Sequence, residues 1–272
     1  MSTVRVEPSY IAVEVTTNSP VAAVRCAHEK LAVVIPTLRE VECLESLLGQ
    51  IRTELDRLEL CYEILVVDDD SRDGTEELVN SISGDDPRVR LLVRRGERGL
   101  SGAILHGWQN TDATILGVMD ADCQHPPELL PRLLEPMVSG CDLAIGSRYA
   151  HGGEIGAWNP IRRLISALAV WVTWPIQHRT IRAKDPMSGF FFVRRRCVEN
   201  VLFQSTGFKL LLEILVRGHI RSVEEVPFTF GNRSAGRSKA NLKVARDYFV
   251  LLTRLYLARM WPQRRLQPSG GD

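Results

Sequence analysis

The feature that most constrains this chain is a rhythm. From Leu31 to Tyr149, short apolar runs alternate with amphipathic stretches, and turn residues separate them. The runs "LAVVIP" (31–36), "YEILVVDDD" (62–70), "VRLLVRR" (89–95), "ATILGVMDAD" (113–122) and "CDLAIGSRY" (141–149) read as strands. Helical segments fall over about 40–58, 74–82, 100–110 and 126–140, and the first carries Leu44, Leu47, Leu48, Ile51 and Leu55 on one face. Such alternation predicts an α/β protein with a mostly parallel central sheet covered by helices on both faces.

The stretch "GVMDADCQHPPE" (117–128) places two acids at the end of the fourth apolar run. Pro126 and Pro127 cannot continue a strand, so the chain turns after Asp122. Asp120 and Asp122 therefore lie at the carboxyl end of a core strand, where open α/β sheets bind ligands. A second cluster, Asp68, Asp69 and Asp70, ends the second strand. A single Asp-x-Asp is usually a polar loop, but two acidic clusters in one α/β pattern point to a hard divalent cation. Magnesium is commonly held by one or two carboxylates plus substrate phosphates, and Gln124 can add a neutral oxygen. Such an ion would offset charge on a departing diphosphate. His106, His125 and His151 lack metal-ligand spacing and read as packing or surface residues. No P-loop is present, and "RRGERGLSGA" (94–103) reads as a turn and helix start rather than an anion nest.

The pattern loosens after residue 150. A helix is predicted over about 161–174, with Arg162 and Arg163 at its start and Trp171 and Trp174 near its end. A helix over 208–218, a strand over 224–230, a basic loop over 231–239 and a helix over 241–260 follow, while "KDPMSGFFFVRR" (184–195) takes no assignment. Domain boundaries fall at an extension over 1–29, a catalytic domain over 30–245 and a C-terminal helix and polar tail over 246–272.

Charge divides along the same line. Residues 1–150 carry 14 Lys+Arg against 25 Asp+Glu, a balance of −11, and residues 151–272 carry 20 against 8, a balance of +12. Either a basic region meets an anionic partner or two solvated faces neutralise each other. The basic residues lack the interleaved aromatics of a nucleic-acid module, so no nucleic-acid partner is expected. The six cysteines are scattered without a C-x-x-C pair, which fits a reducing compartment. No signal peptide is apparent. The longest charge-free run of the second half, "LISALAVWVTWPIQH" (164–178), has 15 residues, short of the roughly 20 that a spanning helix needs.

Nine motifs occur in order: "VVIPTLRE" (33–40), "VVDDDSRDGT" (66–75), "RGLSGAILHG" (98–107), "MDADCQHPPE" (119–128), "AIGSRY" (144–149), "RRLIS" (162–166), "KDPMSGF" (184–190), "GFKLLLEIL" (207–215) and "EVPFTFGNRSAGRSK" (225–239). Together they resemble the family 2 glycosyltransferases of the dolichol-phosphate (polyprenol-phosphate) mannose synthase type. The resemblance implies a GT-A nucleotide-sugar fold with C-terminal interfacial helices. It implies that Pro36, Leu38, Glu40, Val67 and Asp69 line a guanosine pocket, and that Asp120, Ala121, Asp122 and Gln124 form the metal and diphosphate site for Mg2+ or Mn2+. Arg148, Arg162 and Ser166 would receive an acceptor lipid phosphate, with Asp122, Arg148 and Arg162 as the catalytic set. Lys209, Arg233 and Lys239 would face donor phosphates. Paired guanidinium forks suit phosphate oxygens and fix their orientation. Two departures stand out: Leu38 replaces the family's usual aromatic residue, and Arg237 replaces an acid common in the last motif.

The implied reaction is inverting transfer of mannose from GDP-mannose to a polyprenyl or dolichyl phosphate. Rival readings are transfer of glucose from UDP-glucose to the same lipid, and a nucleotide-sugar-binding subunit without turnover. A processive polysaccharide synthase is disfavoured by the missing spans and the absence of Q-x-x-R-W. The lipid substrate implies a cytoplasmic protein docked peripherally on a membrane, or one anchored by a separate membrane subunit. The helix containing Leu164, Leu168, Trp171 and Trp174 would lie at the interface if it is not an ordinary core helix.

Overall fold

A computed structural model describes residues 29–58, 60–96, 98–153, 160–177, 181–203, 209–229 and 242–260. In chain order the first half runs β1 (Lys30–Thr37), α1 (Val41–Asp56), β2 (Cys61–Asp68), α2 (Thr75–Asp85), β3 (Val89–Val93), α3 (Leu100–Gln109) and β4 (Ile115–Val118). The second runs α4 (Leu130–Val138), β5 (Leu143–Ser147), α5 (Pro160–Thr173), β6 (Phe191–Arg194), α6 (Leu210–Arg217), β7 (Val223–Pro227) and α7 (Leu242–Met260). The extension over 1–29 lies outside the described residues except for Glu29, whose carboxylate pairs with Arg194 at 2.5 Å.

The strands form one sheet in the order β3-β2-β1-β4-β6-β5-β7. All neighbours are parallel except β6, which runs antiparallel to both β4 and β5. The alternation seen in the sequence has a direct structural meaning. Leu31, Val33 and Ile35 of β1 pack with Ile64 and Val66 of β2 against Leu44, Leu47, Leu48 and Ile51 of α1 and Leu130, Leu133 and Met137 of α4. The intervening Ala32, Val34, Leu65 and Val67 face Ala103, Ile104 and Trp108 of α3 and Leu211 and Ile214 of α6. Helices therefore cover both faces, and burying each Val, Leu, Ile or Met among these side chains stabilises the fold by about 1.5–3 kcal/mol. Gly107 lets α3 approach closely, since a Cβ there would sit 2.8 Å from both methyl carbons of Val34.

Strand β6 has no counterpart among the predicted elements. Its residues, Phe191 to Arg194, are buried throughout, so they show no period-two alternation. Its direction follows from connectivity. The chain leaves β5 at the sheet's carboxyl edge, passes through α5 and re-enters from that same edge. Val118, the last residue of β4, is consequently paired with Phe191, the first of β6. The segment just before β6, which holds Asp185 and Gly189, is thereby delivered to the end of the sheet where Asp120 lies.

Helix α7 runs without a break across the 245/246 boundary drawn from the sequence. It packs against α6 and the segment just after α5 through Ile176, Leu212, Leu251, Leu252 and Leu255. The hydroxyls of Tyr248 and Tyr256 donate to the carbonyls of Ala169 and Val172 at 2.5 and 2.7 Å.

Candidate active site

The turns at the carboxyl ends of β1, β2 and β4 each contain a non-glycine residue in the left-handed region: Arg39 (φ 60), Asp70 (φ 58) and Cys123 (φ 58). That conformation is uncommon outside glycine and persists where surrounding contacts hold it. Those contacts are visible. Arg39 N donates to Ser71 Oγ at 2.9 Å, and Ser71 N donates to Asp68 Oδ2 at 2.9 Å, with the Ser71 hydroxyl bonded to the other oxygen. Asp68 is thus a buried clamp joining two turns.

Asp69 is engaged on both oxygens. Arg94 Nη1 donates to Oδ1 and Gly99 N to Oδ2, each at 2.7 Å. The "RRGERGLSGA" stretch is accordingly a tethered turn leading into α3, as its sequence indicates. Of the other residues assigned to a nucleoside pocket, Pro36 is buried beside its register partner Val67. Leu38 and Glu40 are partly buried on the following turn. The Val67 side chain lies wholly in the core on the α3 face, and Ala121 is likewise buried, on the α1 face.

Strand β4 is shorter than the run 113–122, so Asp120 and Asp122 occupy the turn beyond it. Gln124 N donates to Asp122 Oδ1 at 3.2 Å, a closure local to the turn. Asp120 N donates to Nδ1 of His125 at 3.4 Å. His125 sits between the rings of Phe190 and Phe228, at 5.2 and 5.8 Å. Burial, aided by the nearby Arg148 charge, pushes His125 down to about 3, so it is a neutral packing residue that accepts from the turn. The Cys123 thiol reaches the Cys43 carbonyl at 3.8 Å, and burial together with Cys43 pushes its pKa up to about 12.

Asp120 shows how the site is assembled. Its Oδ1 is buried without a hydrogen-bond partner. Burial, then the charges of Asp122 and Glu40, push its carboxyl up to about 7, while Arg148 and Lys209 act in the opposite direction. Acids from the β4 turn and the start of α1 therefore share one electrostatic neighbourhood with cations from β5 and α6. An orphaned carboxylate oxygen, a second acid and an amide fit a hard divalent cation. Among the described residues no three His, Cys, Asp or Glu side chains converge on one point. A cation held here would thus complete its shell with water and substrate oxygens, as magnesium does.

Arg148 follows β5 and meets Asp185, which is fully buried. Nε and Nη2 of the guanidinium donate to the two Asp185 oxygens at 2.8 Å each, and Arg148 N donates to Oδ2 at 3.1 Å. Burial opposes the charge, yet Asp185 holds the Arg148 pKa above its usual value. Asp185 therefore holds the Nε–Nη2 side of the guanidinium. Lys209 stands just before α6; burial, then Arg148, push it down to about 8, with Asp185 and Asp120 opposing.

Arg162 and Ser166 lie on α5, and their side chains are outside the described set. Arg233 and Lys239 are outside the described residues altogether. The structure thus brings together Asp120, Asp122, Glu40, Arg148 and Lys209. Asp185 was missed: its motif is conspicuous in the sequence, but nothing local shows which cation it meets.

On α5 and α7, large apolar side chains face solvent. Leu168, Trp171 and Trp174 are 52%, 63% and 44% exposed, and Phe249 and Leu257 on α7 are 72% and 57% exposed. The outer side of α5 is not that of a core helix. Among the described residues no helix is long and apolar enough to cross a membrane.

The model of glycosyl transferase family 2 matches residues 32–214. The chain belongs to glycosyl transferase family 2. Within that family it is 44% identical over 226 residues to the dolichol-phosphate mannosyltransferase of Pyrococcus furiosus, covering 83% of this chain and 63% of that one. The chain thus spans a little under two thirds of that relative. It is 41% identical over 204 residues to the dolichol-phosphate mannosyltransferase of Saccharomyces cerevisiae, covering 72% and 74% of the two chains. Against the undecaprenyl-phosphate mannosyltransferase of Micrococcus luteus the values are 33% over 242 residues, covering 85% and 96%.

Among solved structures, the chain resembles glucosyl-3-phosphoglycerate synthase from Mycobacterium tuberculosis in complex with Mn2+, UDP and glucosyl-3-phosphoglycerate. The TM-score is 0.60 at 19% identity, covering 88% and 82% of the chains. Mannosyl-3-phosphoglycerate synthase from Rubrobacter xylanophilus gives 0.60 at 19%, covering 92% and 82%. At that identity the likeness is one of fold, and the family's GT-A architecture is the one expected from the motifs.

Proposed function

We propose that this chain transfers mannose from GDP-mannose to a polyprenyl or dolichyl phosphate with inversion at the anomeric carbon. The observation that carries the reading is the coupling of Asp120, beside Asp122, to Arg148 and Lys209 from two other elements. It supports a cation-binding turn beside an anion-binding pair at one end of the sheet. The names of the mannosyltransferase relatives support the sugar and the lipid phosphate.

In this reading Pro36, Leu38, Glu40 and Asp69 border the guanosine, with Val67 beneath them in the strand floor. Asp120, Asp122 and Gln124 hold Mg2+ or Mn2+, and Lys209, with Arg233 and Lys239, meets the donor phosphates. When bound, the ion supplies positive charge against the leaving diphosphate. Arg148, Arg162 and Ser166 seat the acceptor phosphate. That phosphate is already ionised at neutral pH, so no side-chain base has to remove a proton. The chain's contribution is to hold nucleophile and anomeric carbon in line and to present charge where it develops. Lys209, protonated below about pH 8, adds a cation in a setting of restricted solvent.

The acceptor's hydrocarbon tail belongs in a bilayer. The exposed apolar residues of α5 and α7 make a two-helix face suited to the membrane interface, and the protein docks there peripherally from the cytoplasmic side, alone or with a separate anchoring subunit. The reaction is tested by incubating the protein with polyprenyl phosphate, Mg2+ and radiolabelled GDP-mannose or UDP-glucose, followed by organic extraction. Label entering the lipid phase from GDP-mannose supports the reading. Label from UDP-glucose alone, or from neither donor, contradicts it.

A further inference from the structure

The pairing of Arg148 with Asp185 extends beyond a single contact. Asp185 N and Lys184 N donate to Oε1 and Oε2 of Glu225 on β7, each at 3.0 Å. Ser188 N donates to the Asp185 carbonyl at 3.3 Å, and Ser188 Oγ donates to the Gly146 carbonyl of β5 at 2.7 Å. The short segment before β6 is therefore fastened to β5 and β7 at once. Asp185 Oδ2 accepts from both the backbone and Nε of Arg148, which fixes the base and the tip of the side chain to one atom.

We propose that Asp185 is a positioning residue for acceptor binding. It grips the Nε–Nη2 side of the Arg148 guanidinium and so sets the orientation in which that guanidinium meets the acceptor phosphate, and Glu225 braces Asp185 from behind. This deepens the proposed function and rests on it. The chemistry is specific. A carboxylate in a fully buried position matches a planar fork bidentately, and neither an amide nor a lysine reproduces both bonds. Asp185 touches the arginine and not the phosphate. Its removal is therefore expected to affect the acceptor selectively, with the donor sensing little.

The test is steady-state kinetics on the full chain carrying Asp185→Asn, with GDP-mannose and polyprenyl phosphate varied in turn. Misplacing a clamp by about 1 Å costs about 10²-fold, so the acceptor KM should rise by about that factor while the donor KM changes less than about threefold. Because Asp185 acts through Arg148, Asp185→Asn should add little to Arg148→Gln in the double variant. An unchanged acceptor KM, donor and acceptor KM rising together, or effects that multiply in the double variant would each overturn the inference. If Asp185→Asn fails to fold, Glu225→Gln decides by the same acceptor-selective readout, with a smaller rise expected and no selective rise counting against it. Wild-type protein that transfers no mannose would sink the functional reading itself, and this inference with it.

Discussion

Gly189 leaves the space that the Asp120 carboxylate occupies: a Cβ built at 189 overlaps Asp120 Oδ2. The two residues are far apart in sequence and meet because β6 enters antiparallel beside β4. The glycine is required here for room, since its φ is not in the left-handed region. Gly189→Ala should therefore displace Asp120 while leaving the core intact. Turnover should fall by about 10²-fold, and Mn2+ affinity, read by electron paramagnetic resonance, should fall with it. Normal Mn2+ affinity in the folded variant would contradict this.

Asp120 is destabilising where it stands. Its carboxyl is pushed up to about 7 by burial and then by Asp122 and Glu40. In the ligand-free protein a folded pKa above the unfolded value of about 4 means the ionised form is disfavoured by folding. This group's contribution is therefore fully favourable below about pH 4 and is lost as pH rises towards 7. Asp120→Asn should raise stability at pH 7.5 by about 1 kcal/mol and abolish cation-dependent turnover, the trade-off expected of a binding site. Thermal unfolding of the ligand-free protein checks the first half, and a lower Tm in the variant would refute it.

Lys209 gives the opposite acid–base signature. Its folded pKa of about 8 lies below the ordinary 10.5, so the folded state releases the proton first. Stability contributed by this lysine accordingly rises between about pH 8 and 10.5, whereas its charge is present only below about 8. Binding of GDP without metal should weaken as pH rises through about 8. Lys209→Arg should remove that weakening, because a guanidinium stays charged throughout the range. A pH profile unaltered by the arginine would assign the transition elsewhere.

The apolar side of α5 and α7 should bind anionic vesicles. Full burial of a large apolar side chain is worth about 1.5–3 kcal/mol, so Trp171→Ser and Phe249→Ser should each lower vesicle partitioning at least about tenfold. GDP binding should survive both changes. Vesicle sedimentation that is indifferent to both substitutions would dismiss the face as a membrane contact.

These particulars mark what was legible in the chain. Strands β1 to β5 announce themselves because each is a short apolar run with turn residues at its end, and Asp120 and Asp122 follow from the two prolines behind them. β6 does not, because Phe191, Phe192 and Val193 are buried on both sides and carry no alternation. The commitment of the Arg148 fork to Asp185, and of Asp69 to Arg94 and Gly99, depends on pairs brought together only by the sheet order. Exposure of Trp171 was open for a related reason. An amphipathic helix shows in its sequence that it has an apolar side, and not whether a neighbour covers it.

The central claim is that the acids of the β4 turn hold a cation against the donor's diphosphate. Titration of GDP into wild-type protein and Asp122→Ala, each with Mn2+ and with EDTA, tests it most directly. The account predicts that Mn2+ tightens GDP binding in the wild type and has no such effect in the variant. Equal GDP affinity in Mn2+ and EDTA, or Mn2+ tightening that persists in Asp122→Ala, would contradict it.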